Sequence, residues 1–355
     1  MRDGRDDRLP RLLNAIRGRC GALIQVHNNP DPDAIACAVG MQALYRRYLD
    51  LDARIVYGGI VGRAENRAML RLLKITIVPS HKVDYTGCDL LTLVDTQPGL
   101  GHTFLPEGRV PEVVVDHHPA RSKPAEVLYW DVGRPYGATS TIVAEFFLKN
   151  RVPLPRVVAT ALLYGIKSDT HDLSDEATPE DLAAYRDLMT AADTAMMSQI
   201  AHARVPRSYY SIFQRAIRNA RIYDFACISH LGKVDNPDMV AEMADFLLRC
   251  EDLRWTMVTA IYQNTLYLSL RSTDRNAHAG TIARQAVGVM GHAGGHGRMA
   301  GGQILLGNAG KRTRHDVVKA VSDLFLDAVR AKKTLMHRLT GDLLTEETDT
   351  SEPQL

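Results

Sequence analysis

Cysteine is sparse and scattered in this chain. Cys20, Cys37, Cys88, Cys227 and Cys250 are odd in number and never spaced as CxxC, which leaves no thiolate zinc cluster to build and suits reduced cytoplasmic thiols. An excess of one charge sign is also missing. Forty-three Lys and Arg stand against 41 Asp and Glu, so no strong global field draws in a long polyanion. Small anionic substrates fit better than duplex DNA. No run of about eighteen apolar residues that could span a membrane occurs. The opening MRDGRDDRLPRLLNAIRGRC lacks the apolar stretch of a signal peptide, and a soluble, cytoplasmic protein is expected. Solenoid and propeller repeat periods are absent as well.

What is present supports two cores. At 355 residues and 45% hydrophobic content the chain exceeds one average domain. The expected division is 1–195, a polar helical connector at 196–220, a smaller domain at 221–335, and a frayed acidic tail at 336–355. From Leu23 to Thr170, short β-type apolar runs alternate with helical ones, the pattern of a mostly parallel α/β sheet. ALIQVH, ARIVYGG, DLLTLVD and EVVVDHH read as strands. IACAVGMQALYRRYL, ENRAMLRLLK, TSTIVAEFFL and LPRVVATALLYGIKSDT read as helices. A second, smaller α/β pattern follows, with YDFACISHLG, WTMVTAIYQ and TLYLSLRS as strands.

Acids and histidines gather where such a sheet binds ligands, at the carboxyl ends of its strands. VHNNPDPDA packs His27, Asp31 and Asp33 directly after the first strand. Crowded carboxylates repel one another unless a cation sits among them, and a carboxylate–imidazole set suits manganese, iron, cobalt or magnesium. As a bare turn the segment would mean little, since Asn, Asp and Pro are turn formers. Yet Asp95, then Asp116, His117 and His118, then Asp169 recur at later element ends.

These motifs, in this order, resemble the DHH phosphoesterase family, which includes RecJ-type exonucleases, oligoribonucleases and manganese pyrophosphatases. AGGHGRMAGG resembles the GGGH motif of the DHH-associated C-terminal domain. The resemblance implies a parallel-sheet catalytic domain, a smaller α/β domain, and a cleft between them. It further implies two divalent cations, manganese foremost, with magnesium or cobalt as alternatives. One would be held by His27, Asp31, Asp95 and Asp169, the other by Asp33, Asp95, His117 and Asp169. Asp116 would orient a histidine, and His118 would touch the scissile phosphate. Arg271, Gly294, Gly295, His296 and Arg298 would bind substrate, the glycines letting backbone amides approach an anion.

The sequence departs from the family pattern at Pro32 and Ala293, where glycine is usual, and in HDLSDEAT after the Asp169 motif. The activity so implied is exonucleolytic hydrolysis of short oligonucleotides, dinucleotides included, by a protein that resembles homodimeric relatives. Removal of the 3′-phosphate from adenosine 3′,5′-bisphosphate and hydrolysis of cyclic dinucleotides are alternatives. A catalytically silent nucleotide-binding regulator is a third, though all six ligand candidates are in place.

Overall fold

The computed structural model describes residues 6–100, 103–174, 177–308, 313–333 and 336–340. The chain divides into two compact units, Met1–Arg204 and Val205–Leu355. The first runs α1 (Arg8–Ala15), β1 (Ala22–Asn28), α2 (Pro32–Leu49), β2 (Arg54–Gly58), α3 (Ala64–Leu72), β3 (Ile77–Pro79), β4 (Leu90–Val94), β5 (Val113–Asp116) and β6 (Tyr129–Val132). Helices α4 (Thr139–Leu148), α5 (Arg156–Asp169), α6 (Pro179–Met189) and α7 (Thr194–Ala201) complete it.

Its six strands are all parallel, in the order β3-β2-β1-β4-β5-β6. The central β4 is buried at every position, which is why LLTLV is continuously apolar rather than alternating. Ile24, Val26, Val94 and Val115 pack with Met41, Leu44, Phe146, Phe147 and Leu162 in one large core. The chain builds β1 to β3 toward one edge and β4 to β6 toward the other, so the order reverses between β1 and β4. That reversal opens a crevice above the strand ends, where a doubly wound sheet takes its ligand. The four strands expected from sequence are all present, and β3 and β6 are additional. Both are edge strands of three and four residues, too short to show a period.

In the second unit, α8 (Arg207–Asn219), β7 (Arg221–Tyr223), β8 (Ala226–Lys233), α9 (Met239–Leu247), β9 (Trp255–Tyr262) and β10 (Thr265–Ser272) are followed by α10 (Ala279–Val287). Then come β11 (His292–His296), β12 (Met299–Leu305), α11 (Arg314–Val329) and β13 (Met336–Arg338). Seven strands lie in the order β11-β12-β10-β9-β8-β7-β13, with only β8 and β9 parallel. Alternation along β9 sends Met257 to a core with α10 and α11, and Val258 to one with α8 and α9. Helix α8 thus packs into this unit through Ile212 and Ala216, whereas Ile200 of α7 belongs to the first core. Strand β13 pairs with β7, and residues 341–355, most of the acidic tail segment, lie outside the described residues. No described helix is long and apolar enough to cross a membrane.

Candidate metal centre

Five chain segments deliver the acids and imidazoles to the crevice of the first unit. His27 sits near the end of β1. Asp31 caps α2, its Oδ1 accepting from the Ala34 amide at 3.0 Å, with Pro32 in the first turn where a missing N–H costs nothing. Asn66 of α3 donates to the Pro30 carbonyl at 3.0 Å, tying the same loop down. Asp95 follows β4 in a left-handed conformation, φ 56°, which aspartate and asparagine adopt more readily than other non-glycine residues.

Asp95 is the hub. Its carboxylate lies 3.5 Å from His27 Nε2, 3.8 Å from His117 Nε2 and 3.9 Å from His118 Nδ1. Asp31 is 3.6 Å from His27 Nε2, and Asp169 is 3.3 Å from His117 Nε2. Donor atoms of His27, Asp31 and Asp95 all fall within 4.8 Å of one another, as do those of Asp33, His117 and Asp169, and of Asp95, His117 and His118. The first two sets are the cores of the two ligand sets implied by the sequence. The structure brings Asp95 to both, but groups Asp169 only with the second.

Neighbouring backbone fixes the donors. His117 Nδ1 bonds the Tyr136 carbonyl at 2.9 Å and His27 Nδ1 the Asn28 carbonyl at 2.9 Å. Each ring therefore turns its Nε2 to the carboxylates, as a metal ligand requires. Asp116 orients His118 rather than His117, through a 2.8 Å contact to Nδ1.

The electrostatics suit a cation among the carboxylates. Burial, then the charges of Asp95 and Asp31, push the Asp33 carboxyl well up. Burial, then Asp33, Asp31 and Asp95, do the same to Asp169. Burial opposes the His27 cation, but hydrogen bonds to Asp31 and Asp95 outweigh it and raise the group well above its ordinary value. For His118 burial is likewise outweighed, by Asp116 and then by the charge of Asp95, and its pKa is pushed up to about 9. Four carboxylates and two Nε2 donors converging in a mostly buried crevice are the donor set of a divalent oxygen–nitrogen site. The residues present fit the binding of divalent metal.

Sequence reasoning missed Thr139, read there only as part of a helix. Its amide donates to Asp33 Oδ2 at 2.7 Å, its hydroxyl donates to Asp95 Oδ1 at 2.7 Å, and that hydroxyl accepts from the His117 amide at 3.1 Å. Ser140 adds an amide to Asp33 Oδ1 at 2.8 Å, so the positive end of α4 faces a carboxylate. Close approach of α5 requires Gly165, where a Cβ would stand 2.3 Å from Ser140 Oγ and 3.1 Å from Asp33 Oδ1. Thr139→Val keeps the branched shape and removes the hydroxyl. It is expected to weaken manganese binding roughly 10- to 100-fold, read by calorimetric titration, and unchanged affinity would deny the hydroxyl this role.

Gln97 was missed too. It is fully buried, donates to Asp116 Oδ2 at 2.8 Å, and so holds the carboxylate that holds His118. After Asp169, His171, Asp172 and Leu173 all have positive φ, a strained turn of the kind that gathers at functional sites.

In the second unit the expected substrate residues meet at one end of the sheet. Met299 of β12 is flanked by Arg271 of β10 and His296 of β11, and the Arg298 carbonyl accepts from the Ser272 amide at 2.9 Å. Arg271 pairs with Asp245 and donates to Ser269 Oγ at 2.7 Å. The glycines differ in kind. A Cβ at Gly295 would lie 2.3 Å from the Met299 carbonyl oxygen, whereas Gly294 has open space. Gly295 is therefore demanded by the hairpin itself, and only Gly294 leaves backbone room for a ligand.

Residues 22–166 match the DHH family N-terminal domain and residues 224–325 the DHHA1 domain. The chain belongs to the DHH family. An uncharacterised protein of Methanocaldococcus jannaschii is 31% identical over 318 residues, 87% of this DHH chain and 63% of that protein. A probable manganese-dependent inorganic pyrophosphatase of Streptococcus equi subsp. zooepidemicus is 34% identical over 166 residues, 44% of this chain and 50% of its own. The DHH chain thus spans between half and two thirds of the length of these curated relatives. The crystal structure of an exopolyphosphatase-related protein from Bacteroides fragilis shares the fold, with a TM-score of 0.72 at 14% identity, over 90% of this chain and 96% of that one.

Proposed function

We propose that this DHH chain is a two-metal phosphoesterase that hydrolyses short oligonucleotides, dinucleotides among them. The observation that carries this reading is the convergence of His27, Asp31 and Asp95 with Asp33, His117 and Asp169 within one crevice. His27, Asp31 and Asp95 would hold one ion, and Asp33, His117 and Asp169 the other, with Asp95 reaching both sets. Manganese is the proposed ion, supported by the mixed imidazole and carboxylate donors and by a relative described as manganese-dependent. Bound there, two divalent ions lower the pKa of a water and neutralise charge on phosphoryl oxygens.

The chain's own residues supply the remaining steps. His118, fixed through Nδ1 by Asp116, keeps Nε2 to face a phosphoryl oxygen or to hand a proton to the departing ester oxygen as the P–O bond breaks. Arg271, immobilised by Asp245 and Ser269, presents a planar guanidinium suited to phosphate. His296, Arg298 and the open backbone at Gly294 would bind with it.

The test is incubation with manganese and a panel holding a dinucleotide, a five-residue RNA, a long RNA, adenosine 3′,5′-bisphosphate and pyrophosphate. Mononucleotide release from the short oligomers supports the reading. Preferential attack on the bisphosphate or on pyrophosphate would replace it with a phosphatase or pyrophosphatase. Tight nucleotide binding without turnover would leave a regulator.

A further inference from the structure

Directly after His118 the chain runs Pro119-Ala-Arg-Ser-Lys-Pro124, and none of the chemistry above uses it. The segment is exposed from Pro119 to Lys123, yet it is held from both sides. Buried Gln97 donates to the Pro119 carbonyl at 3.2 Å and accepts from the Arg121 amide at 2.7 Å. Ala120 lies against Gly133, where a Cβ would come within 3.0 Å of the Ala120 methyl. Prolines at both ends restrict the backbone further.

This anchored loop directly follows the strand end that carries His118. Its cationic side chains also differ from their neighbours. Arg63 and Arg134, which likewise follow strand ends, are paired with Glu65 and Asp131. Among the described residues, Arg121 and Lys123 make no ion pair. Two unneutralised cations are therefore carried on a rigid loop whose anchor, Gln97, also holds the Asp116 that orients His118.

We infer that Arg121 and Lys123 form a subsite for a second phosphate group of the substrate, one distinct from the phosphate that is hydrolysed. This rests on the phosphoesterase reading. A phosphate monoester carries close to two negative charges at neutral pH and takes guanidinium and ammonium donors as charge-assisted partners. Prior anchoring lowers the entropy lost on binding. The subsite would select phosphorylated over unphosphorylated ends.

The experiment compares a dinucleotide bearing a 5′-phosphate with the same dinucleotide lacking it, using the full-length manganese-loaded protein. Turnover and calorimetric binding are both measured, alongside Arg121→Gln/Lys123→Gln. The expected result is a kcat/KM and affinity preference of roughly tenfold or more for the phosphorylated form, falling to about unity in the double variant. A preference that survives in the variant overturns the subsite, as does equal use of both substrates by the unmodified protein. Absence of turnover with either substrate instead counts against the phosphoesterase reading. The binding preference and its loss in the variant then decide the subsite separately.

Discussion

Asp95→Asn should give a protein that is more stable without metal in alkaline solution and almost without activity. Asn keeps the side-chain shape, tolerates the left-handed backbone at this position, and retains an oxygen to accept from Thr139, so the fold is preserved. The change removes one negative charge from the hub that reaches His27 and His117. Outer-sphere partners of metal sites typically cost 10- to 100-fold when removed, and a carboxylate common to both ligand sets is expected to cost at least about 10³-fold in kcat. In the chelator-treated protein the effect has the opposite sign. The charge of Asp95 is among the causes that raise Asp33 and Asp169, and it also supports the His27 and His118 cations. That attraction lapses as the rings lose their protons, so neutralising Asp95 relieves net repulsion in alkaline solution. Thermal melting in alkaline chelator should move upward while manganese binding and turnover collapse. Retained activity, or a lower melting point in alkaline chelator, would remove Asp95 from the centre of the site. The pairing of gained stability with lost function is the usual signature of strained functional groups.

Manganese itself should stabilise the protein, and increasingly so as pH rises. At a free concentration one hundred times the dissociation constant, linkage contributes about 2.7 kcal/mol. For a unit of this size that is roughly 5–10 °C in Tm. The sign of the pH dependence follows from the folded-state shifts. Asp33, Asp169, His27 and His118 are all raised. Each contributes stability that is full below its unfolded value and lost as pH climbs through the folded one. The metal-free protein therefore weakens as pH rises from the ordinary aspartate range, about 4, through the His118 value of about 9. Asp31 and Asp116 are held low, mainly against burial by His27 and His118 respectively. Their contributions are lost only on acidification, outside that window. Bound cations supply the missing positive charge among the carboxylates and compete better as protons leave. Melting curves with manganese and with chelator should thus diverge as pH rises, and coincident curves across the range would count against a metal centre here.

The sequence alone determined the main sheet and which acids and histidines stand at its ligand-binding edge. A parallel strand buried on both faces must be a short apolar run, so β1, β2, β4 and β5 were legible, and the residue that ends such a run must sit at the ligand-binding edge. His27, Asp95, Asp116, His117 and His118 could be placed there without coordinates, with Asp31, Asp33 and Asp169 following from the same motifs. Edge strands β3 and β6 escaped because three or four residues carry no readable period. Only the tertiary structure decided which of these residues touch. Thr139 is 44 residues from Asp95 and 106 from Asp33, and Gln97 is 19 from Asp116. Hydrogen bonds across such separations leave no local pattern, and a buried threonine on an apolar helix looks like packing. The same holds for Gly295, whose role depends on a hairpin partner, and for Asp116, whose choice of His118 over His117 depends on ring orientation. Local pattern records what each segment can offer; the meeting of those offers is set by the packing of the helices and strands that carry them.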